Sequence, residues 1–306
     1  MKISSCRPTR RTAPGDGSVA RPDATGGRYG SAMTFSIVAR SADGESWGVA
    51  VASKFLAVGS AVPAAVAGVG AIATQADANV AYKGLALSHL DEGATASVAL
   101  QRLIEEDDGR DHRQLGIVDV DGGAATYTGP ACLDWAGGVT GDGYAIQGNI
   151  LAGEDVVLAM EAAWLESDET LPLADRLMAA LAAGDAAGGD SRGRQSAALL
   201  VVRDGAGYGG HDDIAVDLRV DDHTDPIGEL GRLLELHELY LTASREDEKV
   251  AITPELREEL EAFATAGGHR DFHAWVGTEN YEMRVAPDLA WIDERILDIV
   301  RGGARP

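Results

Sequence analysis

The sequence predicts an α+β protein: a four-layer sandwich of two stacked antiparallel sheets with helices on both outer sides, followed by a small helical C-terminal module. Three observations lead there. Strand patterns come in pairs joined by turn signals, Ser41-Ala42-Asp43-Gly44 and Asp121-Gly122-Gly123. Helical patterns also come in pairs, and they lie between the strand pairs. The resulting order lacks the strict strand–helix alternation that a doubly wound parallel sheet requires.

Taken in order, residues 1–32 are rich in Pro, Gly, Ser and Arg and have no apolar periodicity. They read as a disordered extension without the apolar stretch of a secretory signal, and Met33 reads as the translation start. TFSIVAR (34–40) and WGVAVASK (47–54) are strands. Small apolar residues mixed with Gly through 58–73 suggest further short strands. Residues 84–90 and 95–106 are amphipathic helices; Val98, Leu100, Leu103 and Ile104 share a face, and Thr95 is an N-cap. Residues 114–120 and 124–128 flank the Asp-Gly-Gly turn, and 144–150 is another strand or turn. Residues 154–165 and 173–183 form the second helix pair, and 196–203 and 214–220 are the last strands. The sandwich is thus expected over 33–223. Beyond it, residues 227–240, 254–264 and 290–300 read as helices of a module spanning 224–306.

Composition excludes several classes. With 49 Asp+Glu against 26 Lys+Arg, the chain has a formal charge of -23, which argues against a nucleic-acid surface. At 45% hydrophobic it can bury a core, and it has no apolar run long enough to span a membrane. Cys6 and Cys132 supply neither a disulfide framework nor a cysteine-rich zinc site. Lysine occurs only at positions 2, 54, 83 and 249; such a scattered acidic, lysine-poor surface resembles that of a protein from a salt-rich cytoplasm. A cytoplasmic location is expected. His211-Asp212-Asp213 and Asp221-Asp222-His223 read as turns of an acidic chain, not as a metal site, and no Walker loop or dinucleotide fingerprint occurs.

The chemistry-bearing candidate is defined by position. If translation starts at Met33, Thr34 is small enough for the initiator methionine to be removed, which leaves Thr34 at a free N-terminus. Its hydroxyl is a weak nucleophile alone, but its α-amino group, with an unperturbed pKa of about 7.7–8.0, can serve as the adjacent general base. On position alone, Thr34 also fits an ordinary strand-start residue.

The segments MTFSIVAR, GVAVASKFLAVG, AIATQADAN, GNILAG, GGDSRGRQSAALLVV and VDLRVDDH, between Met33 and His223, resemble the DUF1028 family of the N-terminal-nucleophile (Ntn) hydrolase superfamily. That resemblance implies the four-layer sandwich and amide-bond cleavage by an N-terminal Thr, Ser or Cys. By similarity with the proteasome-like branch, it also implies a lysine near the nucleophile. Lys54, beside Ser53, is the candidate, with a strand-end cation reaching solvent as the alternative. A late polar loop contributes an Asp and a Ser near the amine in the superfamily. In 189–196, Asp190 would orient or hold the ammonium, and Arg192 or Arg194, with Gln195 and Ser196 beside them, would bind a substrate carboxylate, with a strand-entry loop carrying surface arginines as the alternative. Backbone N–H groups of 148–153 and the Asn149 amide would form an oxyanion hole; a tight strand-to-helix turn uses the same residue types. Gln75, Asn79 and Tyr82 would line the pocket or belong to a polar loop. Cys132 with His112 is a weaker nucleophile pair, because nothing in the sequence places them together. The C-terminal segment resembles a domain described as peptidoglycan-binding that is attached to this family; a helical packing or oligomerisation module is the simpler reading.

The sequence therefore points to a cofactor-free hydrolase of a small, anionic amide or peptide-like substrate, acting as a homo-oligomer. A non-catalytic binding or scaffold protein on the same fold is the alternative.

Overall fold

The computed structural model describes residues 34–303. The extension and Met33, on which the expected translation start falls, lie outside the described residues. β1 (Thr34–Arg40) and β2 (Ser46–Ser53) form a hairpin. A helical turn, α1 (Val58–Ala61), leads to β3 (Pro63–Val66) and β4 (Gly70–Ala76). α2 (Ala81–Asp91) and α3 (Ala96–Glu105) precede β5 (Arg113–Asp119), β6 (Ala124–Thr128), β7 (Gly137–Gly141) and β8 (Tyr144–Asn149). α4 (Asp155–Glu166) and α5 (Leu173–Ala186) are followed by β9 (Ser196–Arg203), β10 (Ile214–Val220) and α6 (Pro226–Leu241). The remainder holds β11 (Lys249–Ala251), α7 (Pro254–Ala266), α8 (Phe272–Glu279), β12 (Trp291–Asp293) and α9 (Glu294–Val300).

The fold is mixed α+β with antiparallel sheets. A six-stranded sheet runs β10-β9-β2-β1-β8-β7 and a four-stranded sheet runs β3-β4-β5-β6. The period-2 alternation of β1 and β2 explains their place at the centre. Val38, Val49 and Val51 face Ala71, Ala73 and Val118 of the smaller sheet. Phe35, Ile37 and Ala50 point the other way, against Met160, Leu177 and Leu181 of α4 and α5. On the far side, Ile72, Leu115 and Ile117 pack on Leu90, Ala99 and Leu103 of α2 and α3. Thr95 caps α3 as expected, accepting from the Val98 N–H. Buried Asp119 ties this layer to the hairpin: its carboxylate accepts from the N–H groups of Ala96 (2.8 Å) and Gly123 (2.7 Å).

Several elements differ from the sequence expectation. The 58–73 stretch begins with the helical turn α1 before its two strands. The Gly-rich β7 and the short α8 lacked a readable pattern. The helix expected over 290–300 divides, because Trp291–Asp293 pairs with β11 and Asp293 then caps α9 by accepting from the Arg295 N–H. α6, which the sequence assigns to the C-terminal module, is shared. Ile227, Leu230 and Leu234 belong to the core under the large sheet, whereas Leu239 belongs to a separate core with Phe272, Trp275, Tyr281, Ile292 and Ile296. Among the described residues, no helix is long and apolar enough to cross a membrane.

Candidate active site

Strand register builds the site. Thr34 is paired with Asn149 across β1 and β8, and Ser53 with Ser196 across β2 and β9. Thr34 and Ser53 are neighbours across β1 and β2, and the Thr34 hydroxyl donates to Ser53 Oγ at 3.2 Å. Directly opposed residues share a face, so Asn149, Thr34, Ser53 and Ser196 form one polar row across four strands, at one end of the sheet and on the face towards the smaller sheet. All four are buried, with Thr34 only 1% exposed.

Behind this row lies a glutamine network that sequence reasoning met only at Gln75. Gln75 Nε2 donates to the Thr34 carbonyl (3.3 Å), the Gln147 carbonyl (3.3 Å) and Gln114 Oε1 (2.8 Å), while its Oε1 accepts from Ser36 Oγ (2.7 Å). Gln147 Nε2 donates to Ser36 Oγ (2.7 Å), and Gln114 Nε2 to the Gly148 carbonyl (2.6 Å). A side chain at Gly116 would overlap the Gln147 amide and push it out of the network. The signal available in the sequence was one glutamine in each of three strands of otherwise apolar character. Such a cluster, satisfied almost throughout, fixes the backbone of β1 and β8 around Thr34.

The 190s loop closes the other side. Asp190 accepts from the Lys54 N–H (2.6 Å) and the Arg192 N–H (2.9 Å) and is ion-paired with Arg192 (3.2 Å); Arg194 is ion-paired with Asp185 (2.8 Å). A cavity of about 360 Å³ opens between this loop, the end of α5 and the start of α6. Phe35, Ala52, Pro226 and Ile227 give it an apolar floor, and Ser53, Asp185, Asp190 and Arg194 its polar lining. Thr34 does not line it; Ser53 is the shared wall.

Other expected contributions are redirected. The Lys54 ammonium donates to the Arg194 carbonyl at 3.1 Å on the exposed surface, and it is the Lys54 backbone N–H that meets Asp190. The Asp190 carboxylate is engaged by Lys54 and Arg192, so an ammonium at Thr34 would have to compete for it. The oxyanion-hole expectation for the 148–153 turn is corrected at three donors: the N–H groups of Ile150, Leu151 and Ala152 donate to the carbonyls of Leu133, Trp135 and Gly189. The Asn149 amide donates to Gln114 Oε1 (2.8 Å). Ile150 holds φ of 51°, a strained state for a β-branched residue, which turns the chain out of β8 directly after Asn149. Gln195 donates to Asp222 (3.0 Å), and the Ser196 hydroxyl bridges the Phe55 carbonyl (2.5 Å) and the Val58 N–H (3.1 Å), bracing the turn after β2. The Cys132 thiol donates to the Arg113 carbonyl, and burial pushes its pKa up, away from a thiolate.

Asn79 and Tyr82 belong to a different cluster. Asn79 Nδ2 and the Tyr82 hydroxyl both donate to Asp107 Oδ2, at 3.3 and 2.7 Å, and Arg113 pairs with the same carboxylate at 2.9 Å. The Arg113 hydrogen bond, aided by those of Tyr82, Gly109 and Asn79, outweighs burial and holds Asp107 well below the usual carboxylate range. A carboxyl with a depressed folded pKa stabilises the fold above its unfolded value, about 3.9, and loses that contribution as pH falls further towards the folded value. Asp107→Asn is therefore expected to lower stability at pH 7 by about 2 kcal/mol and to flatten the acid limb of a denaturant-midpoint profile below about pH 4.

The family model described as "Family of unknown function (DUF1028)" matches residues 34–230. The chain belongs to the DUF1028 family. The match contains the whole polar row and every residue that lines the cavity. A DUF1028 protein of known crystal structure, from Silicibacter pomeroyi, is 34% identical, with a TM-score of 0.61 over 67% of this chain and 89% of its own. The ancestral beta-subunit Anbu from Yersinia bercovieri aligns at 11% identity with a TM-score of 0.31, over 69% of this chain and 99% of its own. No match was found among curated proteins.

Proposed function

We propose that this DUF1028 protein is an Ntn-type amide hydrolase whose nucleophile is Thr34 after removal of the residues before it. The observation that carries the reading is the polar row. A threonine at the head of the central strand has its hydroxyl on Ser53, and Ser53 lines a cavity of small-ligand size. The layering of helices on two stacked sheets and the sequence resemblance support the superfamily assignment.

In the proposed reaction, Thr34 Oγ attacks the carbonyl carbon of a bound amide and its proton passes to the Thr34 amine. The tetrahedral intermediate collapses with cleavage of the C–N bond, and the ammonium returns the proton to the leaving amine. Water, deprotonated by the same amine, then hydrolyses the ester and regenerates Thr34. Ser53 adjoins both the nucleophile and the cavity and is placed to donate to the carbonyl oxygen. Arg192 and Arg194 are each paired with an aspartate, so the cavity's charge sets no requirement for an anionic substrate; a small neutral amide fits its mixed lining.

A second reading is favoured by the burial of Thr34. With a residue still attached to its nitrogen, Thr34 is only 1% exposed and lies outside the cavity lining, and the cavity would serve binding alone. Intact-mass analysis of protein isolated from its native host separates the two. A chain beginning at Thr34 is expected; one that retains residue 33 overturns the hydrolase reading.

A further inference from the structure

Asn149 Oδ1 is a fully buried acceptor without a hydrogen-bond partner among the described residues. Its own Nδ2 is committed to Gln114 Oε1 at 2.8 Å, and Gln114 Oε1 also accepts from Gln75. Turning the Asn149 amide over would set oxygen against oxygen, so the network fixes Oδ1 as the unsatisfied atom. Buried acceptors are rarely left so, and each such atom calls for an explanation.

The ladder supplies one. The Arg40 N–H donates to the Gly143 carbonyl at 2.9 Å, in the same register that pairs Thr34 with Asn149. Antiparallel partners alternate with a two-residue period between hydrogen-bonded and non-hydrogen-bonded pairs. Thr34 is six residues from Arg40, so its nitrogen points at β8 and at Asn149. As a peptide, that nitrogen has one hydrogen, which the ladder directs to the Asn149 carbonyl. As a free ammonium it has three. The Asn149 side chain stands opposite Thr34 on the same face of the sheet.

We infer that Asn149 is the positioning residue for the α-ammonium of mature Thr34, holding it through Oδ1 as an acceptor instead of donating to an oxyanion. The inference rests on the hydrolase reading and deepens it. Asn149 anchors one hydrogen of the catalytic amine through its side chain and a second through its backbone, while the Thr34 hydroxyl stays on the Ser53 side. An acceptor at this place favours the charged amine, so it sets the pH at which the general base becomes available.

The test uses protein whose first residue is Thr34 by intact mass. The α-amine pKa is measured from the pH dependence of its acetylation by acetic anhydride, read by mass spectrometry on the Thr34 peptide. Asn149→Asp, nearly the same shape, is expected to raise that pKa by about one unit or more, because an opposite charge stabilises the ammonium. Asn149→Leu is expected to lower it, and the acid limb of the kcat/KM profile should move in the same direction as the pKa in each variant. If Asn149→Leu does not fold, Asn149→Asp decides alone. An α-amine pKa unmoved by Asn149→Asp overturns the inference. Because this readout needs no turnover, it stands apart from the hydrolase reading, which fails separately if Thr34→Ala keeps its activity.

Discussion

Thr34→Ala is expected to lower kcat/KM against a panel of small amides by at least about 10³-fold, since it removes the hydroxyl that the proposed reaction uses as its nucleophile. The fold should survive. The lost hydroxyl makes one hydrogen bond, to Ser53, and a typical bond of that kind contributes about 1 kcal/mol. Thr34→Ser should keep measurable turnover, because it preserves both the hydroxyl and the adjacent amine. The pair of variants is best read by single-turnover assay together with thermal melts. Unchanged turnover in Thr34→Ala would move the chemistry off this residue, whereas a collapse of the melting transition would show that the row is structural.

The second large effect is expected in the C-terminal core. Arg284 is only 1% exposed and is paired with Asp293 at 2.8 Å and Glu248 at 3.3 Å. It also donates to the carbonyls of Glu238 and Leu239 and to Thr242 at the end of α6. Burial alone would raise the Asp293 pKa, but hydrogen bonds from Ser244, the Arg295 backbone and Arg284 more than offset it and hold it below the ordinary value. Arg284→Met leaves two buried carboxylates without their central cation. The expected cost is about 3–5 kcal/mol, the range for breaking one partner out of a buried ion pair, measured by urea denaturation at pH 7. Lowering the pH should narrow the gap between variant and parent, because protonated Asp293 no longer needs the cation. A loss below about 1 kcal/mol would mean that water reaches the site and that it behaves as a surface pair.

Some strands were legible in the sequence to the residue. TFSIVAR and SAALLVVR are β1 and β9 with the expected ends. Their apolar residues leave one arrangement that buries both faces, so pattern and tertiary structure agree. The Gly-rich β7 carried no such pattern; it exists because β8 offers an edge for its backbone to pair with. The β12 strand was hidden inside a helical-looking run, since the choice between strand and helix there depends on pairing with β11, some 40 residues upstream.

For the candidate site, the sequence identified Thr34, Ser53 and Asn149, but register decided that they stand side by side. Gln114, Gln147 and Ser36 went unnoticed, because one polar residue in an apolar strand looks like an ordinary alternation partner until two sheets close over it. Asn79 was misplaced for the opposite reason. It lies four residues after Gln75, but the chain leaves β4 between them, so its amide goes to Asp107. The arginines of the 190s loop were read as substrate ligands because their aspartate partners, two and nine residues away in sequence, gave no sign of facing them.

The dual allegiance of α6 has a practical consequence for anyone isolating the DUF1028 portion. The family match stops at residue 230, inside this helix, after one turn and a little more. A fragment trimmed at that point would keep Ile227, which floors the cavity, yet discard Leu234 and the grip of Arg284 on the far end of the rod. The cavity wall at Pro226 and Ile227 would then fray like a beam sawn through between its supports. The C-terminal segment thus braces, through α6, the edge of the cavity that Ile227 forms.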